Sequence, residues 1–137
     1  MPNKKVKTIS HFVGKRKVAV AKAVVRPGTG IIRINSKLLD LWGPKYLVAR
    51  IKEPLEIAGD VVNNVDIKVT VGSSGISSQS DAIRTAIARA LADHVGDKLK
   101  TAFVNYDRTL IVPDMRQNEP WKAGSSKPRA SAQKSKR

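Results

Sequence analysis

Between residues 65 and 71 the chain alternates strictly, with Val65, Ile67, Val69 and Val71 apolar and Asp66, Lys68 and Thr70 polar. A period of two belongs to a strand with one buried face, and it predicts one over residues 65–71. The period changes after Gly72-Ser73-Ser74-Gly75. Ile83, Ile87, Leu91 and Val95 then recur every fourth residue with Ala86 and Ala90 beside them, which predicts an amphipathic helix from about residue 78 to 95. The small alanines let that helix lie close to a sheet. Asp81 suits the helix start electrostatically and Gly96 supplies a stop.

Elsewhere the pattern is shorter-ranged. Val18 to Val25 is β-prone, with Lys22 and Arg26 facing out, and Pro27-Gly28-Thr29-Gly30 breaks it. Residues 31–34 read as the returning strand of a hairpin with a loop of about four residues. Ser36 is placed to cap a short helix through Leu38, Leu39 and Leu41, and Pro44 to open a second helix running to about Ile57, with Glu53-Pro54 as a point of interruption. Residues 97–105 read as a helical piece and 109–112 as a last short strand before Pro113. The resulting order, β-β-α-α-β-α-α-β, implies one sheet with helices over it.

Composition sharpens this picture. Of 137 residues 41% are hydrophobic but only 4% aromatic, so the core is aliphatic and suffices for one domain. Cysteine is absent and histidine is limited to His11 and His94, which excludes disulfide scaffolds, thiolate metal sites and His-rich metal sites. Hydrophobic runs of about four residues fall far short of the roughly 20 that span a bilayer. The basic start lacks the apolar stretch of a signal peptide, so a cytoplasmic protein is expected.

The formal net charge is +15. Residues 1–26 hold eight bases and no acid, residues 27–114 eleven bases against ten acids, and residues 115–137 seven bases against Glu119. Two cationic ends flanking a nearly neutral body fit a polyanionic partner. From Ala123 to Arg137 the apolar residues are no larger than alanine or proline, and such a segment cannot bury enough surface to offset its ordering entropy.

Candidate chemistry is correspondingly narrow. His11 lies in the basic arm and His94 late on the long helix, so neither builds a Ser-His-acid triad, and the acids of the body do not cluster. Gly72 to Gly75 lacks the G-x-x-x-x-G-K-[ST] pattern of nucleotide hydrolysis and reads as a tight strand-to-helix turn. Gly14-Lys15-Arg16-Lys17 and the seven bases near the C-terminus suggest two phosphate-binding surfaces, with too few aromatics for a stacking platform.

Several blocks are also recognisable. Gly14-Lys15-Arg16-Lys17-Val18-Ala19-Val20-Ala21 looks like an opening strand, and Pro27-Gly28-Thr29-Gly30 with Ile31-Ile32-Arg33-Ile34-Asn35 like a glycine-containing turn and second strand. Gly75, Gln79, Ala82-Ile83-Arg84 and Ala88-Arg89-Ala90-Leu91 form a signature helix. Tyr106-Asp107-Arg108-Thr109-Leu110, then Asp114-x-Arg116-x-x-Glu119-x-x-Lys122-x-Gly124, and the ending Ser135-Lys136-Arg137 follow in order. Together, over roughly residues 9–137, they closely resemble the universal small-subunit ribosomal protein nine family in its archaeal and eukaryotic branch. Ser73-Ser74-Gly75 stands where the family often carries a glycine run, Ala123 where an aromatic is usual, and Lys134 where some members carry an aromatic.

The resemblance implies an α+β fold, a two-layer α/β sandwich like the second domain of ribosomal protein five, with a basic N-terminal arm and an extended C-terminal tail. Residues 1–122 would form the globular domain with its arm, and 123–137 the tail. It implies a structural role in the head of the small ribosomal subunit, beside neighbouring head proteins. Joined to the charge map, it assigns Lys15, Arg16, Lys17, Arg84, Arg89, Arg108, Arg116, Lys122, Lys127 and Arg129 to ribosomal RNA. Lys134, Ser135, Lys136 and Arg137 are assigned to peptidyl-site tRNA. It implies no catalytic residue, metal, cofactor, membrane or small-molecule substrate. Two other readings stand beside it. A DNA-packaging protein would need a dimer seam or intercalating wedges. An enzyme, suggested by a fold shared with nucleotide-binding kinases, would need a catalytic constellation.

Overall fold

The computed structural model describes residues 10–131 and 135. Among them lie five strands, β1 (His11–Arg16), β2 (Ala19–Pro27), β3 (Ile32–Ile34), β4 (Lys37–Leu38) and β5 (Val65–Gly72), and three α-helices, α1 (Lys45–Ala58), α2 (Ile76–Val95) and α3 (Asp97–Tyr106). The strands form one sheet in the order β1-β2-β5-β3-β4. The helices pack on one face of it, giving the expected α+β sandwich.

Strand alternation decides which face is covered. Ala19, Ala21 and Ala23 of β2, Ile32 and Ile34 of β3, and Val65, Ile67, Val69 and Val71 of β5 point into the core, where α2 contributes Ile83, Ile87 and Leu91. Methyl-sized side chains on β2 and on α2 bring the two layers together. The closest approach is at Gly14, where a Cβ would lie 2.0 Å from the Ala82 carbonyl oxygen and 2.6 Å from the Ala86 nitrogen. No larger residue fits between β1 and α2 there.

The alternating segment is β5, and the long helix, the helix after Pro44 and the piece from residue 97 all form. Several expectations are corrected. First, β2 and β3 are not hairpin partners. β5 lies between them, antiparallel to β2 and parallel to β3. The hairpin partner of β2 is β1, through a two-residue turn at Lys17 and Val18, so residues 11–16 are an edge strand and not part of a basic arm. Second, Asn35 and Ser36 both have positive φ, 46° and 72°, and turn β3 into β4 where a helix cap was expected. The Asn35 side chain then pairs with Val71 like a peptide group, accepting from its N–H at 3.0 Å and donating to its carbonyl at 2.9 Å. Third, residues 108–110 form a 3-10 turn instead of a strand, started by Asp107, whose carboxylate accepts the Thr109 N–H at 2.8 Å. Fourth, the apolar stripe of α2 stops at Leu91, since Val95 is 41% exposed and His94 is exposed as well. Pro54 sits inside α1 without ending it.

Candidate nucleic-acid interface

Two charged regions emerge from this packing. The first is a polar cleft of about 440 Å³ where the end of β1 meets α1, α2 and the turn after α3. Arg16 lies 3.8 Å from Asp81 and 3.5 Å from Asp114, and donates to the Arg116 carbonyl at 2.7 Å. Arg50 of α1 pairs with Asp81 at 2.9 Å. Arg84 of α2 is shared between Glu53 of α1, at 2.5 Å, and Asp107, at 3.0 Å. Partial burial pushes the Asp107 carboxyl up, but the Thr109 hydrogen bonds and the Arg84 charge outweigh it and hold the group below its ordinary range. Asp114 is held lower still, mainly by the Arg116 guanidinium, which grips it through Nε and Nη2.

The cleft is therefore a set of ion pairs joining β1, α1, α2 and the turn after α3, with Arg84 Nε buried in it without a hydrogen-bond partner. Each of its carboxylates faces an arginine, and its chemistry is that of a buckle. Arg89 serves similarly: Nε donates to the Ile111 carbonyl at 2.8 Å and Nη1 to the Val13 carbonyl at 2.6 Å, tying α2 to β1 and to the segment after α3.

The residues assigned to RNA in the sequence thus divide. Arg16, Arg84 and Arg89 are engaged inside the fold. Arg116 pairs with Asp114, and Arg129 grips Glu119 through Nε and Nη2, though both guanidinium groups remain largely exposed. Lys15, Lys17, Arg108, Lys122 and Lys127 are exposed, and among the described residues none of them makes an ion pair. Ser135 is described and exposed, whereas Lys134, Lys136 and Arg137 lie outside the described residues.

The second region was not singled out from the sequence. It is the sheet face that the helices leave open, a shallow hollow of about 670 Å³. Lys22 and Arg26 of β2, Lys68 of β5 and Arg33 of β3 project from it, with His11 at the β1 edge. Asp66 is the single acid among its lining residues. Its carboxylate folds under the β2–β3 loop, accepting the Thr29 and Ile31 N–H groups at 2.9 Å each. Those bonds, the Ile31 one first, hold its carboxyl below the ordinary range. Gly28 makes room, since a Cβ there would lie 2.0 Å from the Asp66 carboxyl carbon. The signal in the sequence was the polar phase of the strand alternation. A net charge near zero over residues 27–114 hides it, because Glu53, Asp81, Asp107 and Asp114 balance the count from the cleft and not from this face.

Comparison with known proteins gives a consistent result. The family model described as ribosomal protein S9/S16 matches residues 14–137. The chain is similar to the small ribosomal subunit protein uS9 of Methanococcus maripaludis, 46% identical over 132 residues that cover 94% of this chain and 98% of the relative. It is likewise similar to that of Halobacterium salinarum, 44% identical over 94% of this chain and 99% of the relative. The Thermoplasma acidophilum protein of the same name is 48% identical over 90% and 97%.

Proposed function

The chain belongs to the ribosomal protein S9/S16 family of small-subunit proteins, and from that premise we propose that it binds ribosomal RNA in the subunit head and sends its C-terminal segment toward peptidyl-site tRNA. Members of this family are structural components of the ribosome and not enzymes. The observation that carries the reading is the agreement of the family model across residues 14–137 with a charge surplus placed at the two ends of the chain.

In this reading Lys15, Lys17, Arg108, Arg116, Lys122, Lys127 and Arg129 meet RNA phosphates, releasing counterions as they do so. Such contacts fix position and orientation more than they read sequence. Arg16, Arg84 and Arg89 act from within, holding β1, α2 and the chain around residue 114 in one arrangement. Residues 1–122 make up the body with its arm, and residues 123–137 the tail. The fourteen residues from Gly124 onward could span about 45 Å if extended, at about 3.3 Å each, enough to leave the body and reach a distant site. Lys134, Ser135, Lys136 and Arg137 would then meet the tRNA, the arginine through its planar fork. Neighbouring head proteins complete the surroundings, and the protein works in the cytoplasm.

Gradient sedimentation of cell extract tests the first claim: the protein is expected with small subunits after a high-magnesium wash, and a mainly free or DNA-bound pool would exclude it. Removing residues 135–137 tests the second. Subunit assembly should persist while filter binding of tRNA to the peptidyl site weakens at low salt, and the deficit should shrink as salt rises.

A further inference from the structure

We propose that the open face of the sheet is a docking surface for the phosphate backbone of double-helical RNA, held by Lys22, Arg26, Arg33 and Lys68. The proposal rests on the reading of the chain as an RNA-binding protein and adds the surface and the form of RNA.

Three observations carry it. The first is register. Lys68 lies directly opposite Val24 on β2 and opposite Arg33 on β3, while Lys22 is opposite Thr70 and Arg26 opposite Asp66. Neighbouring strands are about 4.8 Å apart, so Lys68 and Arg33 present like charges side by side. Such a pair costs a free sheet stability, and a bound polyanion relieves it. The second is the state of Asp66. It is the acid of this face, yet its carboxylate is committed to the Thr29 and Ile31 N–H groups. With one acid against Lys22, Arg26, Arg33 and Lys68, and no ion pair between that acid and any of the four, the face keeps a net positive charge, while the acids of the cleft neutralise arginines elsewhere.

The third observation is what lies between the cations. Val24, Pro27 and Ile31 line the hollow, no phenylalanine, tyrosine or tryptophan does, and the single ring among the lining residues is His11 at the β1 edge, one ring where a stacking platform needs several. A single strand with splayed bases is held by stacking on such rings. An aliphatic floor with a cationic rim suits a duplex instead, where bases are already stacked and the protein meets phosphates and sugars. The charges also spread over three adjacent strands, matching the run of a backbone more closely than a point anion.

The full chain carrying Lys22→Gln, Arg33→Gln and Lys68→Gln tests this against an equal-charge control, Lys45→Gln, Lys98→Gln and Lys100→Gln, on the helices. With a short RNA duplex as probe, the face variant should lose about tenfold or more in affinity at low salt. Its salt slope should fall by about 2 to 3, roughly one per phosphate contact. The control should change far less. In the absence of RNA the single variant Lys68→Gln should melt about 1–3 °C higher at low salt, because the opposition to Arg33 is gone. Equal losses in face and control variants, or a face variant that binds as the parent does, overturn the proposal and leave RNA binding by the chain intact. Equal affinity for a single strand of the same length overturns the duplex assignment. Tighter binding of poly-glutamate than of the duplex would assign the face to an acidic protein. A parent chain that binds neither duplex nor small-subunit RNA would overturn the underlying reading as well.

Discussion

Ser73 and Ser74 turn β5 into α2 with φ of 65° and 66°, a left-handed conformation that side chains with a Cβ adopt at a cost. They occupy positions where the resemblance noted above leads one to expect glycine. Gln79 holds the strained turn from one helical turn away, its side-chain amide donating to the Ser73 and Ser74 carbonyls at 3.2 and 3.3 Å. Replacing both serines by glycine should therefore stabilise the protein by about 1 kcal/mol, the relief of strain exceeding the extra flexibility given to the unfolded chain. Chemical denaturation of the double variant measures it. Arg89 shows the reverse case, a cation that looks available in the sequence and is spoken for in the fold. Arg89→Met keeps much of the aliphatic stem but leaves the Val13 and Ile111 carbonyls without their donor, and should cost about 2–4 kcal/mol. If the arginine served RNA alone, the melting temperature of the free variant would match the parent. Charge was legible residue by residue. Which charges are consumed internally was not, because Arg89 and Val13 are 76 positions apart.

At the scale of elements, β5 and α2 were readable because their periodicity persists over several residues and reports directly on burial. The β2–β3 hairpin was misread for a physical reason: Pro27-Gly28-Thr29-Gly30 does reverse the chain, but turn chemistry says nothing about a strand inserted later between the two arms. The segment after α3 was misread because a short apolar run outweighed the capping signal of Asp107. That aspartate also makes the junction of α1, α2 and the 3-10 turn sensitive to acid. Its carboxyl titrates below its unfolded value, so the stabilisation is complete above about pH 4 and is lost as pH falls through the folded value. Asp114, shifted in the same direction, adds to the loss. Melting temperature should drop steadily below about pH 4. Asp107→Asn should melt lower at neutral pH and show a shallower acid limb, and an acid limb as steep as the parent's would remove Asp107 from the account.

For the whole molecule, folding and binding are drawn from different parts of the chain. No described residue beyond Leu110 is fully buried, so deleting residues 123–137 should shift the melting temperature by no more than about 2 °C, within the range of surface changes. Ile87→Asp, which puts a charge among residues with no solvent exposure, should unfold the protein outright. The sheet order carries one more consequence, in time instead of space. When synthesis has passed residue 64 the chain contains four of the five strands found among the described residues, and the only pairings the fold gives these four are β1 with β2 and β3 with β4. Both depend on β5, the last strand made and the one through which the others join. The edge of β2 that pairs with β5 thus stands open until more than half of the chain has been made, and the sheet then closes from its middle.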